Sequence, residues 1–333
     1  MVDVTNACHL HCSNCTRVLD HARKRYFMTV GQVEEAISAL STFPTESEPA
    51  QEGRRNMLGM IGGEPLLHPE FPKLVDVFVK HVPEVRFRGL WTGLDWATYT
   101  HPKYGAARSH VVRLVGNHGE LLGEAGDPPQ KRGWLNWNMH LKVMQVEHAP
   151  ILVASKDAVP DPWTRWKLIE NCWLQQKWSS TVTPRGFFFC EVAGHLDMIF
   201  NGQGSTQLPK LQGLPVEDAV WKGDLFFEDD VTGVRQPRGK FAEQVLGACE
   251  NCGVCVPLQG RLDSEEIDDV SLSNLALLRN VASPRVRKGR YAVRTFDGFG
   301  ADPKRQVGNP RVYVKGQKPA NQSAVAAREK ACR

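Results

Sequence analysis

No run of about 18 apolar residues occurs anywhere in the 333-residue chain, so a membrane-spanning helix is not expected. The first residues lack a signal-peptide pattern: Val2-Asp3-Val4-Thr5 reads as the start of a strand, and cysteines follow at once. These two absences lead to the expectation of a cytoplasmic protein (in the host cytoplasm if the source is viral). No internal repeat is found. Acidic residues are scarce in one place. From Arg279 to Arg333 there are 14 Lys and Arg against 3 Asp and Glu, a net +11, while the other 278 residues carry 27 basic and 34 acidic side chains, a net −7. A basic end on an acidic body suggests a polyanionic partner such as DNA or a nucleotide; a solvated tail is the alternative reading. The remaining composition, 41% hydrophobic and 23% charged, is that of a globular chain with room for two domains or one large domain and an appendage.

Cysteine is plentiful and clustered. The nine fall as Cys8, Cys12 and Cys15; Cys172 and Cys190; Cys249, Cys252 and Cys255; and a lone Cys332. A reducing compartment disfavours a disulfide framework, and gaps of two and three residues are those of metal ligation.

Periodicity places helices over 29–40, with Val30, Val33, Ile37 and Leu40 on one face, and over 71–80, with Phe71, Leu74, Val75 and Phe78. Strands are expected at 1–6, 56–61 and 85–91, and then at 111–115, 140–146 and 150–154. Strand–helix alternation at this spacing argues for a parallel sheet with crossover helices. Later expectations are helices over 163–176, 191–200 and within 264–278, and a strand at 186–190. Beyond Ser283 the chain is basic, rich in Gly and Pro and without clear periodicity.

Cys8, Cys12 and Cys15 form C-x3-C-x2-C in a loop directly after a strand. Structural zinc takes four protein ligands, and only three thiolates are available locally, with His9 and His11 interleaved tightly between them. On a [4Fe–4S] cube, three cysteine ligands leave one iron open to an external chelator. The run Thr5-Asn6-Ala7-Cys8-His9-Leu10-His11-Cys12-Ser13-Asn14-Cys15 resembles the signature of the radical S-adenosylmethionine (radical SAM) superfamily. Gly62-Gly63-Glu64-Pro65, 47 residues after Cys15, is similar to that family's Gly-Gly-Glu-Pro loop. The resemblance implies a SAM-binding [4Fe–4S] cluster on Cys8, Cys12 and Cys15 and reductive cleavage of SAM to a 5′-deoxyadenosyl radical. It also implies an electron donor of flavodoxin or ferredoxin type. Gly62 and Gly63 would approach the methionine part closely, with Glu64 hydrogen-bonding its ammonium group. The family often carries an aromatic residue before the third cysteine. Here that residue is Asn14, so an adenine contact would use its amide or the backbone.

The second set resembles the SPASM and Twitch auxiliary-cluster domains, and the stretches around Cys172, Cys190 and Cys249 are similar to a group of bacterial and phage radical SAM proteins. The implied ligands of a second [4Fe–4S] cluster are Cys172, Cys190, Cys249 and Cys252, with Cys255 as the alternate. A zinc ribbon on the same cysteines stays open.

The expected fold is α/β: a partial (β/α)6 TIM-like barrel over 1–155, a small α+β auxiliary-cluster domain over 156–262, and a basic C-terminal extension over 263–333. Six of nine tryptophans lie between Trp134 and Trp178, as core or as a stacking surface for a planar substrate. His140, Glu147, His148, Lys156 and Glu191 are candidate proton-handling groups near expected strand ends. Two substrate classes follow. One is a base in DNA, such as a hypermodified thymidine that undergoes a radical isomerisation. The other is a peptide, disfavoured by the absence of a leader-binding domain before residue 8.

Overall fold

The computed structural model describes residues 1–42, 57–93, 105–118, 125–137, 147–174, 180–219, 226–228, 235–237 and 239–296. Its strands are β1 (Val2–Asp3), β2 (Leu58–Ile61), β3 (Arg88–Thr92), β4 (Trp134–Trp137), β5 (Glu147–His148), β6 (Thr181–Thr183), β7 (Gly186–Phe188), β8 (Phe226–Glu228), β9 (Arg235–Pro237), β10 (Arg261–Leu262), β11 (Asp268–Val270) and β12 (Tyr291–Val293). Its helices are α1 (Val30–Leu40), α2 (Phe71–His81), α3 (Gly105–Val115), α4 (Ser155–Ala158), α5 (Pro162–Glu170), α6 (Glu191–Phe200), α7 (Ala242–Ala248), α8 (Leu272–Asn280) and α9 (Pro284–Arg287).

The centre is a mainly parallel six-stranded sheet in the order β4-β3-β2-β1-β6-β7; the last pair is an antiparallel hairpin. Helices α1, α2 and α3 connect β1 to β4 in sequence, which gives consecutive β/α units. Alternation of side chains along each strand then divides the sheet. Val2, Met60 and Leu90 are paired in register and fully buried in one core with Val33, Ile37, Leu74, Phe78, Val111 and Leu114 of the helices. The opposite face carries Asp3, Gly59, Ile61, Gly89 and Trp91.

Local chemistry sets the element ends. Thr29 and Gln32 form a reciprocal capping box at the start of α1. Asp161 accepts from Thr164 N at 2.7 Å before α5, with Pro162 in the first turn. Gly186 closes the β6–β7 hairpin at φ 115°, a conformation that favours glycine, and a Cβ there would sit 2.4 Å from the Leu214 carbonyl.

The sheet is mainly parallel, as expected, and it is open among the described residues. Two sequence expectations are corrected. Residues 111–115 are the end of helix α3, because the run Val-Val-Arg-Leu-Val is β-branched but shares a period of 3.6 with the residues before it. Residues 150–154 are a buried turn rather than a strand. The helix expected within 264–278 is α8, with β11 placed before it. The expected strand at 140–146 and residues 175–176 of the expected helix lie outside the described residues.

The β6–β7 hairpin, which lies within the span expected as a separate unit (156–262), adds to the edge of β1, and one hydrophobic core runs from Val2 to Val281. Residues 263–296, expected to open a basic extension, fold back on the N-terminal loop. Parallel strands β11 and β12 pair there, and Arg285 is buried.

Candidate functional site

Three parallel strands deliver their C-terminal ends to one cleft, as ligand sites of open α/β sheets do. From β1 the chain enters the cysteine loop, from β2 it enters Gly62-Gly63-Glu64, and from β3 it reaches Thr92-Gly93. The cleft is open to solvent and is lined by Cys8, Cys12 and Cys15 together with Gly62, Gly63 and Trp91. Arg17, Asp20, Thr92 and His148 complete its rim.

The two glycines serve the chain itself. Gly63 N donates to Thr5 O at 2.6 Å and Glu64 N to Ala7 O at 2.8 Å, which continues the β1–β2 ladder into the cysteine loop. A Cβ on Gly62 would lie 2.4 Å from Thr5 O, and one on Gly63 would lie 2.3 Å from Ala7 O. Any larger residue would push the cysteine loop off β2. Glu64 is fully buried. Its carboxylate accepts from Leu66 N at 3.1 Å, from Thr92 Oγ1 at 2.9 Å and from Gly93 N at 2.7 Å. It caps the turn begun by Pro65 and ties β2 to β3 at the cleft.

Burial pushes the Cys8 thiol up from the ordinary 9.0 to about 12, and the neighbouring Cys15 and Glu64 push in the same direction. Burial raises Cys12 and Cys15 as well, with Cys15 and Cys8 adding to the shift at Cys12 and Arg17 opposing it at Cys15. Three thiols that hold their protons are poor nucleophiles. Their thiolate forms would be supported by the positive charge of a bound metal. This donor set fits a metal group and fits covalent catalysis poorly.

Asn14 sits at φ 48°, a left-handed conformation that asparagine tolerates. Its amide is committed to residues far along the chain. Nδ2 donates to Asp269 Oδ2 at 3.2 Å and to His148 O at 3.3 Å, Asp269 N donates to Oδ1 at 2.8 Å, and Asn14 N donates to Asp268 Oδ1 at 2.5 Å. The structure thus gives Asn14 the work of anchoring β11, rather than a free edge for an adenine.

Asp268 also pairs with Arg285 Nε at 2.8 Å and lies 2.8 Å from His21 Nε2, whose Nδ1 is 2.8 Å from Ser283 Oγ. Arg285 reaches Asp20 and the His11 carbonyl. This buried cluster clasps both sides of the cysteine loop, and sequence reasoning missed it.

The second cysteine set converges on one place. Cys172 follows α5, Cys190 is the N-cap of α6, Cys249 ends α7, and Cys252 and Cys255 lie on the loop beyond. Burial raises the thiols of Cys249, Cys252 and Cys255, with Cys172 adding to all three shifts and Cys190 to the first two. Gly253 lets this loop meet the 150–153 turn, since a Cβ would stand 2.2 Å from Pro150 O. Ser155 Oγ donates to Cys249 O at 2.8 Å. Among the described residues, no group of three or more His, Cys, Asp or Glu side chains closes around one point as a single-ion site does.

The remaining candidates separate. His148 lines the cleft. Glu147 Oε1 accepts from Gly260 N at 2.8 Å and Lys156 Nζ donates to Asn251 Oδ1 at 2.7 Å, both structural contacts. Glu191 pairs with Arg17. His140 and Cys332 lie outside the described residues. Thr92, Gly93 and Trp91 are cleft residues that no motif flagged, because they are defined by their register against β2. No helix in the described residues is long and apolar enough to cross a membrane. A scan against protein-family models finds no match to this chain, and no curated protein matches it.

Proposed function

We propose that the chain is a radical SAM enzyme with two [4Fe–4S] clusters, one on Cys8, Cys12 and Cys15 and one on four of Cys172, Cys190, Cys249, Cys252 and Cys255. The observation that carries the reading is the convergence at one cleft of three half-buried thiols, the Gly62-Gly63 approach and the clamped Glu64. The consecutive β/α units from β1 to β4 support a partial barrel around that cleft. When bound, the cluster and SAM supply a 5′-deoxyadenosyl radical that takes hydrogen from an organic substrate.

The protein's part is to hold and orient. Gly62 and Gly63 fix the cysteine loop on β2, Glu64 offers a buried negative charge for an ammonium group, and the Asp268–Arg285 clasp keeps the loop closed.

For the substrate we favour a base in DNA, a hypermodified thymidine that is isomerised. Of the 14 basic residues from Arg279 onward, Arg285, Arg290 and Arg294 are paired with Asp268, Glu266 and Asp269. Residues 297–333 add a further 8 Lys and Arg against 3 Asp and Glu. Clustered cations gain by releasing counterions from phosphates, and a base within a duplex would need to be flipped out.

The test is spectroscopic. The reduced, anaerobically reconstituted protein should show an iron–sulfur resonance that shifts when SAM is added, and a Cys8/Cys12/Cys15→Ala variant should lose that response. Salt-sensitive DNA binding supports the substrate class; its absence, with turnover of a peptide, would move the enzyme to peptide chemistry.

A further inference from the structure

Glycine is disfavoured inside strands, where it weakens pairing and marks a place that another group must approach closely. Here two glycines stand side by side in the middle of the sheet: Gly59 on β2 is the register partner of Gly89 on β3. Both belong to the face opposite the helices. The space their side chains would fill is taken by one residue. A Cβ on Gly59 would lie 2.1 Å from Trp91 Cζ3 and 2.9 Å from its Cη2, and a Cβ on Gly89 would lie 2.6 Å and 2.9 Å from the same atoms. The benzene half of the Trp91 indole is therefore seated in a notch cut across two strands, which fixes its ring. The rest of the side chain is half-buried and forms a wall of the cleft that holds Cys8, Cys12 and Cys15. On the next strand, Trp134 is the register partner of Gly89 and shares its face, and it is 47% exposed.

A core tryptophan is normally enclosed by the side chains around it. This one is accommodated by deleting two of them, and it keeps surface in the cleft. A rigid ring beside a reaction site is the arrangement on which planar bases stack in a sequence-tolerant way. From this we infer that Trp91 is the stacking wall for a nucleobase ring in the cleft, with Gly59 and Gly89 as the positions that set its pose.

The inference deepens the proposed function and rests on reading the cleft as the reaction site. Stacking is common to two sources of such a ring, the adenine of SAM and a thymine of substrate DNA. Neighbouring Thr92 and Gly93 hold Glu64, so the wall and the carboxylate are fixed by three successive residues at the C-terminal end of β3.

Equilibrium binding tests this on the anaerobically reconstituted full-length protein, with two probes measured separately: SAM and a single-stranded oligothymidylate. Trp91→Leu should weaken at least one probe by about 5- to 150-fold, the range found when a stacking aromatic is removed, while Trp91→Phe should stay within about threefold of wild type. The probe that weakens identifies the ring. Gly59→Ala, which displaces the indole without removing it, should weaken the same probe and should add nothing in the Trp91→Leu background. It also carries the test should Trp91→Leu fail to fold. Unchanged affinity for both probes in the Trp91→Leu and Gly59→Ala proteins, or no binding of either probe by wild type, overturns the inference. If these proteins bind as wild type while SAM still shifts the cluster resonance, the proposed chemistry stands and the stacking wall alone is wrong.

Discussion

Arg17 Nη2 stands 3.1 Å from Glu191 Oε2, in a pair that is almost wholly buried and links the two cysteine centres. Arg17 is two residues after Cys15, and Glu191 directly follows Cys190. Removing one partner of a buried pair leaves a bare charge and costs about 3–5 kcal/mol, whereas replacing both with apolar groups is often neutral. Arg17→Met should therefore lower unfolding free energy by about 3–5 kcal/mol, and Arg17→Met with Glu191→Leu should restore most of it. Denaturant unfolding of the three proteins measures this; equal stability of Arg17→Met and wild type would remove the pair from the account.

The clasp from the C-terminal segment gives a second expectation. Asp268 serves Asn14 N, His21 and Arg285 at once. Asp268→Asn should destabilise by a similar amount and speed the loss of iron from the N-terminal site to a chelator, with the auxiliary site less affected. A chelation rate unchanged at the N-terminal site would show that the segment does not hold the loop.

The same clasp fixes where the basic end can be cut. Deleting 284–333 removes buried Arg285 and strand β12 and should unfold the N-terminal loop. Deleting 297–333 removes a net charge of +5 and keeps every residue of that cluster. It should flatten the salt dependence of DNA binding and spare SAM cleavage. A steep dependence that survives the shorter deletion would place the phosphate contacts elsewhere.

Much of the parallel sheet was legible in the sequence, because 29–40, 71–80 and 191–200 carry helical periodicity between short apolar strands. The cleft was legible only where residues sit in short motifs. The partnership of Asn14 with Asp268 and Asp269 spans some 254 residues, and no local pattern marks such a pair. Trp91 is hidden for a related reason. Its seat is made by Gly59 and Gly89, and neither glycine shows its purpose until the strands are aligned. The apolar runs at 111–115 and 150–154 misled because strand and buried turn or helix share composition over so few residues.

The half-buried thiols of the cleft predict a pH effect on the metal-free protein. A thiol raised in the folded state keeps its proton where the unfolded chain has lost its own. Its contribution is complete below the unfolded value near 9 and is lost as pH climbs toward the folded value, about 12 for Cys8. The melting temperature of the metal-free protein should fall steadily above about pH 9. Replacing Cys8, Cys12 and Cys15 by Ala should make that decline shallower. A melting temperature flat from pH 8 to 11 would contradict the upward shift of these thiols.

The five C-terminal cysteines outnumber the four ligands of a closed cube. Single changes to Ala at Cys172, Cys190, Cys249 and Cys252 should each lower bound iron by about half of roughly eight, and Cys255→Ala should lower it least. About four irons together with one zinc in the wild-type protein would establish the ribbon instead.

The most direct measurement is the product formed from SAM. Under reducing, anaerobic conditions the reconstituted wild-type protein should release 5′-deoxyadenosine and methionine. The Cys8/Cys12/Cys15→Ala protein should release none while retaining about four irons on its auxiliary cysteines. Release of 5′-deoxyadenosine by the triple variant, or none by iron-loaded wild type, would contradict the assignment of this cleft.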